Sequence, residues 1–420
     1  MQKTGRNNMR QQKQTQKLLV MTLTVIVLFF SCEEDPQSIY NPDVTGNPTP
    51  AITHVAPDSN YSQNDVSFAG EGVVIITGSN FSAVSDYNMV FFNGLPGEVL
   101  TASKTSLRVR VPVISGDSII VRISVQGAFQ FAEYETPFEI VPAVIPVGGF
   151  DDFDQLYSLA CDVNDALWVT TFGNPTIKMY SVFPDSLKKL EFSTLTVSST
   201  GLKYGGNDLL FLTGGALLYA MDKTTGLYNR SYLFPFAGSD VTRDLDFLDS
   251  NHVFVAFIKA PNKGYVMGIS FDTGIKDTLM AYDSLNIKCV RVFDNDLYVS
   301  GFRTSNGANT APVVYKNHIS GFTLGASELV LDLADYPDYA GVQINAMTFS
   351  ADGKLFLGLD AVQAILVYEN FELKPFYNHI LSPPTRDLVW GNGDYLYQLQ
   401  ATRVSKINMV EAGAAYAGRQ

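Results

Sequence analysis

The residues best equipped for chemistry are cations and acids that recur at one place in a repeated phrase. Aligning six copies of that phrase puts Tyr157, Thr200, Arg243, Lys288, Asn345 and Arg386 at one position. The next position holds Ser158, Gly201, Asp244, Cys289, Ala346 and Asp387. Arginine offers a planar fork of donors that matches carboxylates and hydroxyls. The set therefore reads as a polar pocket for an anionic or sugar ligand. The alternative is structural, with Arg243–Asp244 and Arg386–Asp387 forming salt bridges that lock the repeats together. Calcium would need an oxygen-rich cage, and these positions supply only Asp244, Asn345 and Asp387 among three cations, which disfavours a divalent metal. His252, His318 and His379 fall in strands or outer loops, and no nucleophile–base pair or phosphate-binding loop stands in a credible context. Catalytic residues, metal and cofactor are accordingly expected to be none.

The phrase itself is an apolar strand, a turn of Asp, Asn or Gly, and a second strand carrying an aromatic. It occurs at residues 159–169, 202–212, 245–255, 290–299, 347–357 and 388–397. The aligned aromatics are Trp168, Phe211, Phe254, Tyr298, Phe356 and Tyr397, separated by 43, 43, 44, 58 and 41 residues. Repeats of roughly 40–50 residues with four strands each predict a β-propeller. One blade cannot bury both faces alone, whereas blades packed around an axis can, with the aromatics filling the gaps. The shorter repeats of a parallel β-helix fit less well. Residues 143–410 are thus expected to form six blades, with the residues entering each innermost strand converging on one mouth of the axial channel. The last copy lacks a fourth strand, and residues 143–147 are expected to supply it and close the ring. Residues 411–420 form a tail with little strand character.

The blade pattern resembles NHL-type and related six-bladed propellers. Some of these are calcium-dependent lactonases, so the resemblance implies a second reading, a propeller lactonase or lyase acting at the axial mouth. The fourth copy is the irregular one, with extra residues at 304–310 and 331–339. Insertions into a repeat map to loops at one rim and commonly bind. Tyr336 and Tyr339 are the aromatic platforms expected to stack on sugar there.

Residues 50–142 read differently, as seven short alternating runs split by Gly, Asn, Asp and Pro. Asn93-Gly94 is a strong hairpin turn, and the set predicts a β-sandwich. The pieces Pro50-Ala51-Ile52, 72–81, Val90-Phe91-Phe92-Asn93-Gly94, 107–112 and Phe138-Glu139-Ile140 resemble the IPT/TIG immunoglobulin-like family. That resemblance implies a fold more than an activity, and a spacer more than a ligand site. The fold class expected overall is all-β, an immunoglobulin-like sandwich followed by a six-bladed propeller.

The amino terminus reads as an address. Residues 1–31 hold five bases and no acid, with a thirteen-residue apolar core at 18–30. That core is short for a membrane span, which needs about 20 residues, and suits an export signal. Ser31-Cys32 at its end resembles the lipobox of bacterial lipoproteins, which implies lipidation at Cys32. The alternatives are a peptide cut elsewhere or an uncleaved anchor. Glu33-Glu34-Asp35 resembles the surface-export signal of Bacteroidota lipoproteins, and 32–49 reads as a flexible tether. The expected location is the outer membrane, lipid-anchored and facing the exterior. This layout resembles accessory members of Bacteroidota glycan-uptake systems. It implies a surface binding protein whose partners are the membrane and either a polysaccharide or an outer-membrane protein.

The chain's −13 charge adds two opposite signs. Beyond the basic signal, 24 bases face 42 acids, leaving −18. A body so acidic repels phosphate backbones, so no nucleic-acid partner is expected. Four His and three Cys among 420 residues argue against a zinc or disulfide scaffold. Cys161 and Cys289 are expected to be buried free thiols.

Overall fold

The computed structural model describes residues 46–63, 66–183, 185–259 and 263–419. The export signal, Cys32, the acidic triplet and most of the tether lie outside the described residues. Among the described residues the chain is built of strands, with four single-turn 3₁₀ segments. No helix is long and apolar enough to cross a membrane.

Residues 51–141 form a sandwich of nine strands rather than seven. The two additions, Ser62–Gln63 and Val66–Phe68, form a short hairpin in a polar stretch without the alternation that marks the others. Alternation elsewhere builds the core: Val74, Ile76, Phe92, Leu107, Val109, Val121 and Ile123 are all buried. The hairpin at Asn93-Gly94 has both turn residues at positive φ, with Phe92 facing Leu95. Strand Leu95–Ala102 then passes from one sheet to the other, pairing first with Asn88–Phe92 and then with Ser106–Arg110. Gly97 sits at that crossing, where a Cβ would lie 2.7 Å from the Phe92 ring and 2.8 Å from Val109.

Six four-stranded antiparallel sheets follow. Their innermost strands are Leu156–Cys161, Gly201–Tyr204, Val241–Phe247, Leu285–Phe293, Ile344–Phe349 and Asp387–Trp390, here blades 1 to 6. Blade 6 takes its outer strand from the other end of the repeat region. Val144–Val147 pairs antiparallel with Val404–Asn408, Val144 against Ile407 and Val147 against Val404, so the ring is closed by hydrogen bonds. The aligned aromatics pack onto the inner strand of the following blade. Phe211 meets Phe247 edge-on with ring centroids 5.0 Å apart, Tyr298 lies 4.6 Å from Phe349, and Phe356 lies 5.6 Å from Trp390. Cys161 and Cys289 are buried free thiols.

Two features differ from expectation. Residues 304–310 form no loop: they extend Asp296–Ser305 and Ala308–Ser320 into a long hairpin turning at Asn306-Gly307. Asn at φ 51° followed by Gly at φ 80° is turn chemistry, and each flanking residue has a ladder partner. The tail is also more ordered than its composition suggested. It crosses the end of the channel opposite the strand entrances, touching the last residues of the inner strands. Ala414 donates its N–H to Phe349 O, Tyr416 packs on Phe247, and Gly418 leaves no room for a Cβ against Tyr204 O. Arg419 spans the seam between blades 1 and 6, donating to Cys161 O (3.1 Å), Gly391 O (3.2 Å) and Trp390 O. Because these are bonds from a charged donor, Arg419→Ala is expected to lower stability by about 2 kcal/mol. Urea unfolding measures it, and an unchanged midpoint would show that the outer strand alone holds the seam.

Candidate functional site

An inner strand alternates its side chains, so every second residue faces the axis. At its mouth the channel opens into a cavity of about 380 Å³. Tyr157, Arg243, Asp244, Lys288, Asn345, Arg386 and Asp387, named above from five of the six repeats, all line it. Thr200, from the remaining repeat, lines it as well. Tyr336 and Tyr339 stand elsewhere, half-buried against the apolar cluster shared by blades 4 and 5.

The carboxylates hold the ring together through backbone amides. Asp244 accepts from Leu245 N at 2.8 Å and, across the blade boundary, from Val290 N at 3.0 Å. Asp387 does the same at the closing seam, accepting from Leu388 N at 2.9 Å and from Leu159 N of blade 1 at 3.0 Å. Arg243–Asp244 and Arg386–Asp387 are not ion pairs among the described residues, so the locking role belongs to the acids without their neighbouring arginines. Arg386 instead donates to Leu156 O at 2.5 Å. Asn345 donates to Thr385 O at 2.9 Å and tethers blade 5 to blade 6.

Lys203, which the two aligned positions did not include, forms the floor. It is buried, lines both the mouth cavity and the smaller cavity beneath it, and sits among Asp387, Asp244 and Asp246. Burial works against its ammonium, but the three carboxylates outweigh that and raise its pKa. Burial pushes Asp244 up to about 6, against the pull of Lys203 and with the repulsion of Asp387. Burial raises Asp387 likewise. One layer lower, Arg291 and Asp246 form a buried ion pair at 3.3 Å. Lys203, Asp246 and Arg291 occupy the same repeat position two residues beyond the Asp244 and Asp387 register. Strand alternation is the signal that finds them. Asp360 and Gln343 also line the mouth, but both lie outside the aligned strands of blade 5 and had no repeat signal.

Arg243 and Lys288 behave differently from every other charge here. Both are half-buried, and neither has an ion-pair partner among the described residues. Arg243 Nε is enclosed and has no hydrogen-bond partner. Burial lowers the pKa of both, and Arg243 lowers that of Lys288 further, with Asp360 and Asp244 pulling the other way without reversing it. The mouth holds Lys203, Arg243, Lys288 and Arg386 against Asp244, Asp360 and Asp387, a local positive excess in a strongly acidic chain. Two desolvated cations with unused donors form a receptor for an anion.

Calcium does not fit this mouth. All four carboxylate oxygens of Asp244 and Asp387 already accept backbone N–H groups, and four cations surround them. Hard divalent cations require six to eight free oxygen donors. No metal-holding cluster of His, Cys, Asp and Glu occurs among the described residues.

Residues 50–140 match the IPT/TIG domain. The nine-stranded sandwich is therefore a member of a recognised domain family, and the propeller carries the pocket beside it. No curated protein matches the chain. Among solved structures it is similar to a luciferin-regenerating enzyme, at 11% identity and TM-score 0.50, over 67% of this chain and 99% of that one. It is also similar to an auxiliary nutrient binding protein from Bacteroides thetaiotaomicron (11% identity, 88% and 99% covered, TM-score 0.49). A third is the calcium-binding protein regucalcin from Agrobacterium tumefaciens (13% identity, 65% and 97% covered, TM-score 0.48). At such identities the likeness concerns the fold alone, an all-β chain with a six-bladed propeller.

Proposed function

We propose that the chain is a lipid-anchored binding protein of the bacterial surface, whose propeller mouth captures a carboxylate-bearing glycan and whose IPT/TIG domain is a spacer. The observation that carries the ligand class is the pair Arg243 and Lys288, desolvated in the cavity without an ion pair among the described residues. Leaving such cations unpaired is costly unless a ligand completes them. Asp244 and Asp387 are instead committed to backbone amides, and Asp360 accepts from the Asn345 side chain. The anchoring half of the proposal rests on Ser31-Cys32 behind an apolar core and on the acids that follow.

Sugar recognition also needs flat apolar surface. Exposed Phe172 and Phe153 lie on mouth-side loops of blade 1, where Phe172 N donates to Gln155 O at 2.8 Å. Tyr157 lines the cavity from the same blade. This gives a stacking rim across the axis from the cations of blades 3 and 4.

Calorimetry with oligogalacturonate and with a neutral oligosaccharide of equal length tests the proposal. Saturable heat with the acidic ligand alone is expected, and equal or absent responses would sink it. The lowered pKa of Lys288 sets a pH dependence: its positive charge is lost, as pH rises, before an ordinary lysine's would be. Affinity for the carboxylate is therefore expected to fall on the alkaline side, below the usual lysine range. Lys288→Arg, charged throughout, should flatten that limb. A limb unchanged in the variant would remove Lys288 from the site.

A further inference from the structure

We propose that the pole of the sandwich farthest from the propeller rests on the lipid surface, with Phe129 and Phe131 immersed in the interface. This rests on the anchoring read at Cys32. The strands fix which pole is which. Gly116–Val125 and Ala132–Val141 each run ten residues, ~33 Å at strand rise, between the propeller side and the 126–131 turn. At the propeller side, Arg110 Nη1 lies 2.8 Å from His379 Nε2, and a Cβ on Gly70 would meet Ile380 at 2.9 Å. At the other pole the loops 80–87, 103–105 and 126–131 gather. Phe81 N donates to Lys104 O and Gln126 N to Tyr87 O.

Large apolar side chains are exposed at that far pole. Phe129 is 86% exposed, Phe131 58% and Val84 50%. Three apolar side chains on the loops of one tip, with Lys104 exposed on the 103–105 loop and the Arg122 guanidinium 5.6 Å from the Phe131 ring, have the amphipathic character of an interfacial contact. The chain also enters there. Asn47 N donates to Gly127 O at 3.1 Å, Asn47 Nδ2 to Gln126 O at 2.9 Å, and Asn80 Nδ2 to Thr49 O at 2.8 Å. Only residues 33–45 separate Cys32 from the first described residue, and thirteen residues span at most ~45 Å. The attachment of the tether beside Phe129 favours lipid over a protein partner as the occupant. Seated this way, the sandwich sets the height of the propeller above the surface instead of trailing from it. An acidic chain keeps the rest of its surface away from anionic headgroups, so a zwitterionic surface is the fitting one.

The test uses the full chain carrying Phe129→Trp, purified from membranes and reconstituted in phosphatidylethanolamine vesicles with brominated acyl chains. The native Trp168 and Trp390 are buried in the propeller, 4% and 3% exposed, and serve as an internal unquenched signal. Val113→Trp, at the opposite pole, is the water-facing control. The expected result is flotation with the vesicles, with a blue shift and loss of most of the emission that the introduced indole adds, and neither change for the control. Flotation without quenching of the Phe129→Trp chain would overturn the proposal while leaving the anchor intact, since the pole would then face water or a protein. Failure to float would remove the anchoring reading and the proposal with it.

Discussion

Replacing Arg243 and Lys288 together by alanine is expected to lower affinity for an acidic oligosaccharide on the order of a thousandfold, and to leave the stability of the fold unchanged. Each residue offers a charge-assisted bond worth about 2 kcal/mol in a desolvated site, and the two act on one anion. The single variants should each cost about thirtyfold, the two losses multiplying in the double variant. Unchanged stability is the informative half. Neither side chain has an ion pair among the described residues, burial works against both charges, and each repels the other. A structural cation removed from a core destabilises, whereas one waiting for a ligand does not. If the double variant unfolds earlier in urea by several kcal/mol and binds as before, these cations belong to the scaffold and the binding proposal fails.

Much of that site was readable from the chain, and the rest was hidden for physical reasons. The ring of six blades followed from a recurring strand–turn–strand phrase, because stacking identical units is the only way each can cover its faces. The residues at the start of each inner strand converged as the repeat implied, bringing Tyr157 and Arg386 together although 229 positions separate them. What the repeat could not disclose was how the charges would pair. Arg243 sits at a break in strand register between Thr242 and Asp244, so both side chains line the cavity without pairing. Asp244 turns instead to an amide of the next blade. Lys203 was legible in principle, one alternation further along the same strand, but it appears in one blade only and no copy repeats it. Tyr336 and Tyr339 illustrate the converse. Aromatics in an insert look like platforms, yet a long insert must also pack its own turn, and both rings lie half-buried on the blade 4–5 cluster. The hairpin at 304–310 followed the same logic, extending a sheet because its backbone groups could continue an existing ladder.

Lys203→Met is expected to be the most destabilising single change in the channel, at about 3–5 kcal/mol. The lysine exerts the largest attraction on both Asp244 and Asp387, ahead of Arg291 on Asp387, and their oxygens already serve four backbone amides. Without it two buried carboxylates that repel each other lose their strongest counter-charge, at the two blade boundaries they hold. The loss should depend on pH with a definite sign. Asp244 has its pKa raised in the folded chain, from 3.8 to about 6, so its protonated form favours folding. That contribution is fully present below the unfolded value and is lost as pH rises through the folded one. Removing Lys203 raises the folded value further, so the variant's deficit relative to the native chain should be largest near pH 7 and shrink toward pH 4. Adding Asp244→Asn and Asp387→Asn to Lys203→Met should restore part of the stability, because each amide removes the unpaired charge but keeps one oxygen for the two backbone N–H groups its carboxylate served. Urea unfolding of the three chains at both pH values distinguishes the outcomes. A deficit that persists at pH 4, or that the added asparagines fail to reduce, would mean that Lys203 does not act as the counter-charge of these carboxylates. The carboxylates would then hold the blades without needing a counter-charge.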